Sequence, residues 1–167
     1  MKQRAILSHI ALMIGGATGL FSAAPSWADA SNCESISDSD ARNHCRAVAK
    51  KDKSYCESIH DTDRRNQCRA EASGDRSHCE SIGNSDQRNQ CRGTAGGPSG
   101  ASNCESISDS DQRNHCRAIT KKEKSYCESI HDSDRRNYCR AVAGGGKSYC
   151  ESIGNSDLRN RCRGEAR

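Results

Sequence analysis

Hydrophobic positions in this chain fall into two regimes. From Ile6 to Phe21 apolar residues are nearly continuous, whereas after residue 30 they are isolated points in a polar sequence. In that second regime one residue keeps time: Ile36, Ile59, Ile82, Ile107, Ile130 and Ile153 each follow a cysteine by three positions and precede another by nine. The cysteines stand at 33, 45, 56, 68, 79, 91, 104, 116, 127, 139, 150 and 162, so their spacing alternates between 12 and 11 with a single step of 13. This is a 23-residue unit in six copies, interrupted once. Such sparse apolar positions suit neither a long amphipathic helix nor an alternating strand, and they predict short elements repeated in tandem.

The polar residues of the unit, S-x-C-E-S-I followed by [DN]-[ST]-D-x-R-N-x-C-R, specify those elements. Ser54 and Glu57 match a capping box, in which a Ser oxygen and a Glu three residues later satisfy the free N–H groups of a helix start. Ser31/Glu34, Ser77/Glu80, Ser102/Glu105, Ser125/Glu128 and Ser148/Glu151 repeat the pattern. The first helix of the unit is expected to be short, ending near Ile59. Asp61-Thr62-Asp63 then supplies a second N-cap and acids at the positive helix end, for a helix running from about Asp63 to Ala72. Asp61 and Arg65 lie four apart on one face of it, while Ile36, Cys45, Val48 and Ala49 share an inward face in the first copy. The expected fold is all-α: tandem short helical hairpins with a small apolar core.

Residues 32–93 align without a gap on 103–164, so three units are duplicated as a block. The expected organisation is a three-repeat block at 31–93, a flexible Gly/Pro/Ser linker at 94–101 and a second block at 102–167. Residues 1–30 read as a cleaved signal peptide: Lys2 and Arg4 form a basic start, Ile6 to Phe21 the apolar region, and Ala28-Asp29-Ala30 a small-residue cleavage site. No membrane span is then expected in the exported chain.

Composition sharpens this picture once the leader is set aside. The remaining 137 residues hold seven Ile, two Val and one Leu, and no Phe or Trp. Such a chain would be disordered by composition alone, and it excludes a large pocketed enzyme fold. All twelve cysteines remain, which is the composition of a disulfide scaffold in an oxidising compartment, periplasmic or secreted. Pairing within units (Cys33–Cys45, Cys56–Cys68, Cys79–Cys91, Cys104–Cys116, Cys127–Cys139, Cys150–Cys162) is favoured, because pairing between neighbouring units strands Cys33 and Cys162. A closed loop of this length contributes about 3 kcal/mol per bridge in the chain-entropy model. Acidic and basic residues are interleaved with little net charge, which does not point to nucleic acid.

Candidate chemistry is thin. There is no Cys-x-Cys or Cys-x2-Cys to bring several sulfurs to one metal ion, and His44, His78 and His115 directly precede cysteines, away from a shared ion. The absence of Cys-x-x-Cys also argues against thioredoxin-type redox chemistry. Asp38-Ser39-Asp40 lacks the remaining ligands of a calcium loop, and no Gly-x-Ser-x-Gly nucleophile elbow is present. Every candidate group comes in sixes, whereas catalytic sites are singular. No enzyme activity and no cofactor are therefore expected.

Two arginine rows and one asparagine row recur. Arg42, Arg65, Arg88, Arg113, Arg136 and Arg159 form the first row, and Arg46, Arg69, Arg92, Arg117, Arg140 and Arg163 the second. Stacked units would turn these into a periodic surface for an unknown protein or an anionic cell-envelope partner, with the Arg42 row as the candidate binding residues. Asn43, Asn66, Asn89, Asn114, Asn137 and Asn160 recur without support from helix propensity, which leaves a unit-to-unit hydrogen bond or a ligand contact. The sequence therefore favours a non-catalytic binding or interaction module of the periplasm or cell envelope. The alternatives are a thiol-based metal-sequestering or oxidant-buffering protein, and a secreted effector or inhibitor.

Overall fold

The structure, a computed structural model, describes residues 30–166. The signal-peptide reading therefore lies outside the described residues, apart from Ala30. Six α-helices carry the architecture: α1 (Ser39–Lys50), α2 (Thr62–Ser73), α3 (Ser85–Ala95), α4 (Ser110–Lys121), α5 (Ser133–Arg140) and α6 (Ser156–Glu165). Each is preceded by a shorter helical turn, which is 3₁₀ in five units (Ser31–Ser35, Lys53–Ser58, Arg76–Ser81, Lys124–Ser129, Lys147–Ser152) and a single α turn at Ala101–Cys104 in the fourth. The described residues contain no strands, so the all-α hairpin fold expected from the sequence is the fold observed.

All six disulfides are made within units, with Cα–Cα distances of 5.6 to 5.7 Å. They are fully buried, as are the six repeated Ile side chains. The core is accordingly a chain of small clusters, each centred on one disulfide and one Ile and closed by a residue of the preceding unit. Ala47 packs on Cys56, Ile59 and Cys68, and Ala70 packs on Cys79, Ile82 and Cys91. At the third junction the closing residue is Gly93, where a Cβ would lie 2.5 Å from Cys116 Sγ.

The long helices begin as the sequence predicts. Asp38, Asp61, Asn84, Asp109, Asp132 and Asn155 each accept the backbone N–H three residues ahead. In the second and third units the expected capping box is replaced by another cap. There the N-caps are Asp52 and Asp75, accepting from Ser54 N and Ser77 N, and the six Glu turn elsewhere. Each Glu receives a two-pronged bond from the second-row arginine twelve residues on: Glu34 from Arg46, Glu57 from Arg69, Glu80 from Arg92, Glu105 from Arg117, Glu128 from Arg140 and Glu151 from Arg163. A charge-assisted fork to guanidinium is stronger than a Glu reaching back to an exposed N–H, so the ion pair wins.

The segment read as a flexible linker is structured. Thr94 and Ala95 complete α3, Gly97–Gly100 forms a 3₁₀ turn, and Gly100 is buried. Gly100 and Gly93 approach so closely that a Cβ on Gly100 would collide with the Gly93 carbonyl. The glycines serve close backbone approach here.

Consecutive units are joined by one repeated contact. The invariant Asp in the first turn of each long helix accepts backbone N–H groups at the bend of the next unit. Asp40 takes His60 N, Asp63 takes Gly83 N and Asn84 N, Asp86 takes Ser108 N and Asp109 N, Asp111 takes His131 N, and Asp134 takes Gly154 N and Asn155 N. The sixth member of the series, Asp157, takes Ser37 N of the first unit at 3.1 Å. Helix α6 correspondingly packs on α1 and on the Ser31–Ser35 turn. A head-to-tail contact whose rotation closes after a whole number of copies makes a ring. Six units turning one-sixth each close this one within a single chain.

Candidate functional site: the axial cavity

The ring geometry sorts the residues of the unit into scaffold and lining. The repeated Cys and Ile fill the clusters, the repeated Asp joins the units, and the repeated Glu holds the second arginine row. The first arginine row is also engaged. Arg42, Arg65, Arg88, Arg113, Arg136 and Arg159 each donate from Nη1 to the carbonyl of the Ile six residues before, over 2.5 to 2.8 Å. The candidate binding row thus ties each long helix to its own bend, half-buried against it.

Three members of the asparagine row bond between units: Asn89 Nδ2 donates to Ser106 O, Asn137 Nδ2 to Ser152 O, and Asn160 Nδ2 to Ser35 O across the closure. Its amide oxygen accepts from the second arginine row, as in Asn43 with Arg46 and Asn137 with Arg140. Of the two explanations open from sequence, the unit-to-unit bond is the one observed.

What the repeat leaves variable faces the axis. Positions three and four residues apart share a helix face, and here they form three layers. The outer layer is Ala41, Arg64, Gln87, Gln112, Arg135 and Leu158. The middle layer is His44, Gln67, Gln90, His115, Tyr138 and Arg161. The third is Val48, Glu71, Thr94, Ile119, Val142 and Glu165. Two cavities lie along the axis. One, of about 280 Å³, is walled by Gln87, Gln112, Arg135 and Leu158 together with Gln67, Gln90, His115, Tyr138 and Arg161. The other, of about 400 Å³, has the same five middle-layer residues and all six of the third layer in its wall. The middle layer therefore stands between them. Six of the thirteen differences between residues 32–93 and 103–164 fall on the eight axial positions in that span. Divergence between the blocks is concentrated where the side chains face the cavity.

One sector of the lining is a closed charge network that crosses the ring closure. His44 Nε2 meets Glu71 at 3.1 Å and His44 Nδ1 meets Glu165 at 3.6 Å. Arg161 Nε donates to Glu165 over 2.9 Å, Tyr138 donates its hydroxyl to the other oxygen of Glu165, and Gln67 donates to Glu71 over 2.8 Å. Burial and Arg161 oppose a charge on His44, but its bonds to Glu165 and Glu71 outweigh them and raise its pKa. Burial likewise works against an ionised Glu165, yet Arg161 and His44 hold it down to about 2. The cluster is internally compensated and resembles a structural lock more than a reactive site.

The opposite sector is not compensated. His115 stacks against the Tyr138 ring, with centroids 5.7 Å apart, and burial followed by repulsion from Arg161 brings its pKa down to about 4, so its imidazole is neutral. His115 Nε2 and Gln112 Oε1 are buried without a hydrogen-bond partner. A buried polar atom left unmatched costs about 1–3 kcal/mol.

Sequence reasoning missed this site because it weighed the residues that repeat. The signal lay in the two unspecified positions of D-x-R-N-x-C, which are a helical turn apart and differ among units. Among the described residues no group of three or more His, Cys, Asp or Glu is placed to hold a metal ion, and no helix is long and apolar enough to cross a membrane. No protein-family model, curated protein or solved structure matches the chain.

Proposed function

We propose that this protein is a non-catalytic binding module exported to the periplasm or cell envelope, and that its binding surface is the variable lining of the axial cavity. The observation that carries this reading is the division of labour within the unit. Invariant residues hold the ring, and divergent ones converge on two cavities along its axis. Binding sites are concave and few per protein, and a cavity formed by six rigid, stapled helices is held in shape without a ligand. The six disulfides fit an oxidising compartment, where such bonds persist. They also disfavour the thiol-based alternative, since metal uptake or oxidant buffering would require opening bonds whose sulfurs are wholly buried.

The reading is tested by envelope retention. The full chain with its own leader is expressed in its native host, fractionated, and compared with a Gln87→Leu/Gln112→Leu variant and a variant carrying Lys at the six Arg42-type positions. Loss of retention in the first variant alone supports axial binding. Loss in the Lys variant alone, with the fold intact by circular dichroism, transfers the site to the arginine row. Release of all three into the soluble fraction removes the envelope role.

A further inference from the structure

We propose that the smaller axial cavity is a binding site for a neutral polyhydroxylated ligand the size of one sugar ring, a monosaccharide unit. This rests on the binding-module reading above and names its ligand class. At about 280 Å³ the cavity lies at the small end of ligand sites, which start near ~300 Å³. It suits a single ring and excludes a drug-sized ligand.

The chemistry of the wall selects among small ligands. Four glutamine amides, Gln67, Gln87, Gln90 and Gln112, each present a donor and an acceptor without net charge. Gln112 and His115 lie three apart on α4, so their unpartnered atoms sit on one stretch of wall. Gln112 Oε1 requires a donor. A carboxylate offers none, and an ammonium ligand would donate but would face two guanidinium groups, Arg135 and Arg161, against the single carboxylate of Asp111 in the same wall. An apolar ligand would leave both atoms unmatched, at the cost already noted. A hydroxyl both donates and accepts, so it satisfies Gln112 Oε1 and either tautomer of the neutral His115 ring. Several hydroxyls on one compact frame would match the several amides, and Leu158 and Ile130 supply apolar surface for C–H groups of a ring.

The test is calorimetric titration of the oxidised full-length protein with glucose, galactose, mannose and N-acetylglucosamine, with glucuronate and spermidine as charged comparisons. At least one neutral sugar is expected to bind saturably; Gln112→Leu, which removes a buried acceptor, is expected to weaken it about tenfold, and Gln87→Leu, at an exposed position of the wall, by a smaller factor. Both variants must keep six disulfides by mass and the parent helical spectrum, and a Lys53→Gln control, exposed and outside the walls of both cavities, is expected to bind as the parent does. Binding of glucuronate or spermidine in preference to every neutral sugar overturns the proposal, as does neutral-sugar binding that neither variant alters, or no binding by any probe. Failure here combined with loss of envelope retention in the Gln87→Leu/Gln112→Leu variant would remove the sugar and leave the binding module standing. Failure of both would remove both.

Discussion

Asp157 in the last unit accepts the backbone N–H of Ser37 in the first at 3.1 Å, so residues 120 positions apart make the contact that elsewhere joins consecutive units. A closed ring and an open solenoid with the same units differ in what this bond is worth. In a ring the sixth contact adds to the other five, and in an open array it does not exist. We therefore expect Asp157→Ala to destabilise by about 1 kcal/mol, and Asp86→Ala, which gives up two backbone N–H groups instead of one, by about 1–2 kcal/mol. Denaturant titration of the oxidised proteins reads this directly, and an Asp157→Ala variant as stable as the parent would mean that the ends do not meet.

The charge network at the closure gives the ring a pH dependence with two limbs. Glu165 titrates near 2 in the folded chain against 4.5 ordinarily, so its contribution is present above 4.5 and is lost as pH falls toward 2. His44 is raised above 6.5, so its contribution is present below 6.5 and is lost as pH rises through the higher folded value. Glu71, lowered by His44 and Gln67 against the cost of burial, reinforces the acid limb. His115, brought down to about 4 by burial, adds a contribution that is present above 6.5 and lost as pH falls, so melting temperature followed from about pH 2 to pH 9 is expected to peak near neutral pH. His44→Gln should flatten the alkaline limb and Glu165→Gln the acid one. If His44→Gln leaves the alkaline limb unchanged, the His44 contacts do not govern it.

Gly93 closes the third cluster in place of the Ala found at Ala47 and Ala70. The reason is the approach of Cys116 and Cys104, whose sulfurs would lie 2.5 and 3.0 Å from an added Cβ. A disulfide fixed at both ends cannot swing away, so the backbone of α3 would have to shift. Gly93→Ala is expected to destabilise by about 1–3 kcal/mol, as for overpacking, even though Ala is the better helix former by about 1 kcal/mol. Chemical denaturation measures the sign, and a stabilised variant would show that the junction has room.

Much of this architecture was legible in the residues, for reasons that are local. The cysteine period dictated the units and the within-unit bridges because an even partition leaves no thiol over. The [DN]-[ST]-D triplet dictated the start of each long helix because a short oxygen-bearing side chain before a helix has one best use. Two things were not legible. Glu34 and its equivalents have both a capping and an ion-pairing partner in reach, and only the tertiary position of Arg46 decides between them. Ring closure depends on the exact rotation between units, which Asp40 and Asp157 set together and no single unit contains. The site followed the closure out of sight. Gln112 and His115 come to line one cavity only when six helices surround one axis.

Lys51 and Lys122 end α1 and α4 in the left-handed conformation, each at φ 54°, where the equivalent residue of the second unit is Gly74 at φ 75°. A side chain with a Cβ in that region costs about 1–2 kcal/mol relative to right-handed backbone, and glycine bears no such penalty. The Lys backbone N–H groups close the helices on Ala47 O with Val48 O and on Ala118 O with Ile119 O, so the conformation is required by the cap and not by the side chain. Lys51→Gly and Lys122→Gly should therefore stabilise by about 0.5–1 kcal/mol each, after the greater entropy of glycine in the unfolded chain is subtracted. Lys50 and Lys121, which donate to Tyr55 and Tyr126, are untouched by the change. The two positions lie in separate units, so the gains should add in the double variant. Guanidinium titration of the two single variants and the double settles it. A loss of stability in both singles would mean that these chain reversals do not adopt the left-handed cap.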